Sequence, residues 1–223
     1  MMKLISIIFT AVLFSLAEAC FAQGFVNLNF ENATIIPDPS SVYYPNAVYA
    51  SNAIPSWTAT GFIGPNDILY NSASLGSTSV SILGTNGFPN ALDGKFSVYL
   101  YGGLTATSAS ISQTAIVPVS AESILFEAQN DGGSLGGTLL VSLGGQNLSY
   151  SALSSGANYT LYGADISTFA GQSERLMFSA LEGNNNFWNI DDIQFSSLPI
   201  PEPSELALAT LGALFLGFCR RSR

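Results

Sequence analysis

The sequence predicts a mainly β protein whose body is an antiparallel β-sandwich, and three observations carry that prediction. Short apolar runs alternate with polar residues at period two, as in Phe96, Val98 and Leu100 against Ser97, Tyr99 and Tyr101. Such a period sends successive side chains to opposite faces of a strand. Turn signals (Asn86-Gly87, Asp93-Gly94, Asp131-Gly132-Gly133, Gly144-Gly145, Gly183-Asn184) separate the runs. Their spacing, roughly 8 to 15 residues, suits a sandwich or barrel better than βαβ units. Finally, no segment between Gln23 and Pro199 sustains a helical period, and Thr168 to Gly171 offers one turn.

The elements follow in chain order. Met1-Met2-Lys3, the apolar run Leu4 to Leu16 and the Ala-rich sequence after it form the pattern of a secretory signal peptide over residues 1–22. Two cuts satisfy the small-residue rule: between Ala22 and Gln23, using Cys20 and Ala22, or after Ala19, using Ala17 and Ala19. The first is preferred, because strand-like sequence starts directly after it. Residues 23–198 form the sandwich domain. Its first strand is predicted over Phe25 to Phe30, where Val26, Leu28 and Phe30 alternate with Asn27 and Asn29.

From Asp38 to Gly64 the chain is polar and carries Pro39, Pro45 and Pro55, which reads as loops. Trp57 within it is either a plug under a loop or a stacking platform for a sugar. Further strands are expected around Phe96 to Leu100, Ile124 to Ala128, Leu139 to Leu143, Tyr159 to Leu161 and Leu176 to Ala180. The last, Asn189 to Phe195, is expected to lie beside the first, giving a jelly-roll-like arrangement.

Composition narrows the chemistry. The 223 residues hold 15 acids, 6 cations and no histidine, for a net charge of −9. Between Gln23 and Pro199 the only cations are Lys95 and Arg175, so the body repels nucleic acid and anionic lipid. Without histidine, Ser-His-Asp triads and His-ligated metal sites are excluded. Both cysteines, Cys20 and Cys219, lie outside the body. Paired carboxylates remain the one catalytic device. Asp191 and Asp192 are neighbours in a predicted strand and should face opposite ways, which leaves Glu127 with Glu174 or Glu182.

At the other end, Pro201-Glu202-Pro203 is followed by an uncharged apolar run from Leu206 to Phe218 and by Arg220-Arg221-Ser222-Arg223. The prolines break regular structure, Ser204 can cap a helix, and the arginines obey the positive-inside rule. A transmembrane helix over 204–219 is thus expected, although a bilayer core asks for about 20 apolar residues, so its charged flanks must snorkel. A buried C-terminal helix of the body is the alternative. Residues 199–223 resemble the PEP-CTERM sorting domain of exported bacterial proteins, with Pro201, Glu202, Pro203, Arg220 and Arg221 as the matching positions.

That resemblance implies secretion machinery and signal peptidase at one end and an exosortase-like membrane transpeptidase at the other. It also implies an inner-membrane intermediate and a final place at the cell surface or in extracellular polysaccharide. A second resemblance is shorter. Phe187 to Phe195, with Asn29-Phe30-Glu31, is similar to the last and first strands of galactose-binding-like jelly rolls and related carbohydrate-binding modules. It implies a structural calcium held by Glu31 and Asp191, with Asp192 as substitute, beside stacking aromatics: Trp57, Trp188, or Tyr99 with Tyr101. The expected role is non-enzymatic and structural or adhesive; the alternatives are a calcium-stabilised carbohydrate-binding module and a secreted glycoside hydrolase that uses two acids.

Overall fold

Two β-sheets share one hydrophobic core. A computed structural model describes residues 24–61, 66–72, 77–87, 89–103, 108–132, 137–183 and 186–200. The expected signal segment with Ala22 and Gln23, and the sorting segment with Pro201, Glu202, Pro203, Arg220 and Arg221, lie outside the described residues. Among the described residues no helix is long and apolar enough to cross a membrane.

Thirteen strands are described: β1 (Ala47–Tyr49), β2 (Thr58–Thr60), β3 (Asp67–Tyr70), β4 (Ser79–Gly84), β5 (Phe96–Tyr101), β6 (Ala109–Ile116), β7 (Ser123–Asn130), β8 (Leu139–Leu143), β9 (Gln146–Asn147), β10 (Tyr150–Ser155), β11 (Thr160–Asp165), β12 (Ser173–Ala180) and β13 (Phe187–Ser196). One sheet runs β1-β3-β4-β5-β13-β7-β11-β10 and the other β2-β6-β12-β8-β9. Among the described residues the helical structure is one short turn, α1 (Ala50–Ala53), and a 3-10 turn at Ser167–Phe169, where one turn was expected.

Apart from Phe25 to Phe30, the period-two runs form the strands they predict, and the reason is burial. Val98 and Leu100 of β5, Ile124, Phe126 and Ala128 of β7, Val141 of β8, Phe178 of β12 and Ile190 of β13 all enter the shared core. Each fully buried side chain of this size contributes roughly 1.5–3 kcal/mol, so these few strands carry much of the stability. Phe126 stands at the junction between the sheets, edge-on to Phe178 at 5.3 Å and stacked on Tyr162 at 5.5 Å.

Three expectations are corrected. Phe25 to Phe30 is not a strand: Asn27 and Phe30 take positive φ values of 52° and 56°. Asn27 tolerates that region, and its side chain turns the chain by accepting from Asn32 N–H (3.1 Å) and donating to the Pro55 carbonyl (3.2 Å). The segment still meets the last strand, through Ile193 N–H to the Leu28 carbonyl (3.0 Å) and the Phe25–Phe195 stack. The stretch from Asp38 to Gly64 is not loop throughout, since β1, α1 and β2 lie within it. Nor is the pairing wholly antiparallel: β3 and β4 run parallel, Leu69 opposite Ser81, so the larger sheet is mixed.

Candidate functional site

The outer face of the eight-stranded sheet is where the chemistry gathers. Positions between the core-facing ones in β5, β13 and β7 carry Ser97 and Tyr99, then Asn189 and Asp191, then Glu127 and Gln129. Expected to meet solvent, most are instead buried: Asn189 is 0 % exposed, Asp191 1 % and Glu127 8 %. Across this face lies the segment that follows β4, residues 89–95, and three contacts pin it down. Asn189 Nδ2 donates to the Asn90 carbonyl (3.0 Å), Asn158 Nδ2 to the Leu92 carbonyl (3.1 Å), and Asp93 N–H to Asp191 Oδ2 (3.1 Å). Beneath it Asn189 Oδ1 accepts from the Ser97 hydroxyl (2.6 Å), so both ends of that amide are used.

Asp191 and Glu127 stand opposite each other in the β13–β7 register. Burial pushes the Asp191 carboxyl up to about 8, against two backbone amides that pull it down, and the charges of Glu127 and Asp192 push it further up. Glu127 is raised for the same first reason, burial; the Tyr159 hydroxyl opposes this, while Asp192 and Asp93 add to it. Its Oε2 is buried without a hydrogen-bond partner.

Asp192 is the extra residue of a β-bulge, where the register jumps between Asp191 and Gln194, and its φ of 41° is the strained conformation such an insertion needs. The bulge keeps its charge close to both neighbours, so simple alternation fails at this point. Glu127 meets neither Glu174 nor Glu182. Glu174 lies on β12 in the other sheet, its carboxylate against the Gly144 turn, and Glu182 follows the end of that strand. Asp191 is therefore the acid that the fold places opposite Glu127, and the pair lies covered.

The calcium implied by the last-strand resemblance was tested against the donors themselves. Calcium takes 6 to 8 oxygen ligands. Glu31 Oε1 accepts from Lys95 N–H (2.6 Å) and Phe96 N–H (3.0 Å), while Asp191 accepts from Asp192 N–H (2.8 Å) as well as from Asp93. Both carboxylates thus bind the same short segment, residues 93–96, by its amides, and these supply the positive partial charge that a cation would. Gly94, at φ 55°, holds a conformation that favours glycine, and an added Cβ would also crowd Glu31 Oε1. Among the described residues no group of three or more His, Cys, Asp or Glu could hold a metal ion. The residues present do not fit the implied site.

The proposed stacking aromatics are also covered. Trp57 is 5 % exposed and donates its indole N–H to the Asn27 carbonyl (2.9 Å) beneath a loop. Trp188, 6 % exposed, donates to Gly137 (3.2 Å). Tyr99 and Tyr101 both stack on Phe187, with centroids at 5.8 and 4.2 Å. These rings hold structure together, and none presents a face to a ligand.

What sequence reasoning missed is a polar cleft beside the acid pair. One cavity of about 280 Å³ lies between the 89–95 segment and β7, lined among others by Leu92, Gln129, Asp131 and Asn158. Another, of about 420 Å³, opens over Gln129, Asn158, Tyr159 and Tyr162. Gln129 and Asn158 line both. Asp131 has a buried Oδ2 with no partner, and burial raises its carboxyl above the ordinary range despite a hydrogen bond from Gln129. Only the Asp131-Gly132 turn signal lay near these positions.

No family model and no curated protein matches this chain. A solved structure that it resembles is the enzymatically active domain of tailspike protein 4 from bacteriophage CBA120, at 15% sequence identity and a TM-score of 0.38. The match covers 76% of this chain and 21% of that one, so this chain spans about a fifth of its length.

Proposed function

We propose that the chain is an exported protein with a jelly-roll-like β-sandwich body, sorted through a PEP-CTERM signal, with a structural or adhesive and non-enzymatic role at the cell surface or in the extracellular polysaccharide matrix. The observation that carries this reading is the order Pro201-Glu202-Pro203, uncharged apolar run, Arg220-Arg221 at one end, answered by a signal-peptide pattern at the other. In it, signal peptidase cuts between Ala22 and Gln23, the apolar segment holds an inner-membrane intermediate, and an exosortase-like transpeptidase releases the body near Pro201. The jelly-roll part is supported by strand order: β5-β13-β7-β11 in one sheet against β6-β12-β8-β9 in the other, with the chain passing repeatedly between sheets. The non-enzymatic part is supported by the cover over Asp191 and Glu127, which leaves no room for a substrate between them.

Mass spectrometry of protein recovered from its own host, with cell fractionation, tests the sorting. The expected mature chain begins at Gln23, ends close to Pro201 and is found in the surface or matrix fraction. A mature chain that still contains Arg223 overturns the processing. Turnover of a polysaccharide that vanishes in Glu127→Gln overturns the non-enzymatic role.

A further inference from the structure

We infer that the cleft between residues 89–95 and the β7–β11 surface is a binding site for a neutral, polyhydroxylated ligand, a neutral saccharide in chemical class. Its two cavities adjoin through Gln129 and Asn158, which line both. The walls are preformed, because the Asn189, Asn158 and Asp191 contacts already hold the covering segment in place. The lining carboxamides both donate and accept. Asp131, a partly buried carboxyl that takes a hydrogen bond from Gln129, adds an acceptor to the wall. Leu92 and Pro89 supply an apolar wall for the C–H face of a sugar ring.

Charge selects the class. Among the described residues no Lys or Arg lines either cavity, while Asp131 is in the wall of one and Tyr159, in the wall of the other, feels the charges of Glu127, Asp93 and Asp192. A phosphate or a uronic acid would find amide donors but no cation to balance its charge, and acids close by to repel it. A metal ion finds no cluster of three acids among the described residues. A ligand that donates hydroxyls to a carboxylate, accepts from amides and carries no charge is what remains. The inference deepens the adhesive reading and rests on it for its setting alone. Failed binding leaves the sorting to be judged by the mature termini, and unprocessed termini leave the cleft unaffected.

The test is calorimetric titration of the purified full chain with short cello-, manno- and galacto-oligosaccharides, set against oligogalacturonate and spermidine. Saturable binding of at least one neutral series is expected, with about tenfold weakening in Asp131→Asn and in Gln129→Ala, the loss typical of one or two hydrogen bonds. Thr114→Ala, on β6 of the other sheet, should leave affinity unchanged. Thermal melts of each variant establish folding, and Gln129→Ala decides alone where Asp131→Asn does not fold. The inference is overturned if no neutral series saturates, if the folded cleft variants bind as the parent does, or if oligogalacturonate or spermidine binds more tightly than every neutral series.

Discussion

In the central strands β5, β13 and β7 both faces of the eight-stranded sheet are largely buried, yet they are held by different physics. On the inner face Val98, Phe126 and Ile190 gain from area removed from water and tolerate any neighbour of suitable shape. On the outer face Ser97, Asn189 and Asp191 are stable only because each polar atom meets a specific partner. The lesson is that polar residues at period two mark the face opposite the core, and nothing in the period says that this face is wet.

The comparison can be broken most forcefully from the inner side. Phe126→Ala removes the ring that joins Phe178, Tyr150 and Tyr162. It should cost about 3–5 kcal/mol in urea unfolding, with little dependence on pH. A cost under about 1 kcal/mol would mean the inner face is far less closely packed than described.

The outer face should reveal itself by pH. The folded Asp191 carboxyl lies near 8, above its ordinary 3.8. Between those values the folded chain keeps a proton that the unfolded chain gives up, so stability is fullest at low pH and falls as pH rises through the window. From pH 5 to pH 7 the loss should be about 2–3 kcal/mol, at about 1.4 kcal/mol per unit. Asp191→Asn, neutral throughout, should flatten most of this slope, with Glu127 leaving a remainder of the same sign. A parent protein whose stability is level over that range sinks the argument.

A smaller effect sharpens the contrast further. Asn189→Ala leaves the Ser97 hydroxyl and the Asn90 carbonyl without their partner. About 2 kcal/mol of stability should be lost, together with faster amide exchange across residues 89–95. An inner-face substitution of equal cost should leave that exchange unchanged.

Legibility in the sequence divided along the same line. β5, β7, β8 and β12 were readable because large aliphatic or aromatic residues alternate cleanly in them, and β13 because they do so on either side of its bulge. β4 and β6 were not, since Ser79, Ser81, Ser110 and Ser112 are small polar residues that look like loop. β1 and β2 were hidden by shortness, three residues each, among prolines. At the site Glu31 and Asp191 were found as acids that mattered, but their partners are backbone amides of residues 93, 95 and 96, which no side-chain motif records. The cleft was invisible for a further reason: Leu92, Gln129 and Asn158 meet only through strand pairing across long stretches of chain.

One consequence follows from the position of β13. It pairs with β5 on one side and with β7 on the other, so the larger sheet consists of two disconnected parts, β1-β3-β4-β5 and β7-β11-β10, until the final strand is inserted. A growing chain therefore exposes two raw sheet edges until residues 187–196 have been synthesised. Its closing contacts span most of the polypeptide, which makes assembly slow by its connectivity. The keystone strand drops into place last.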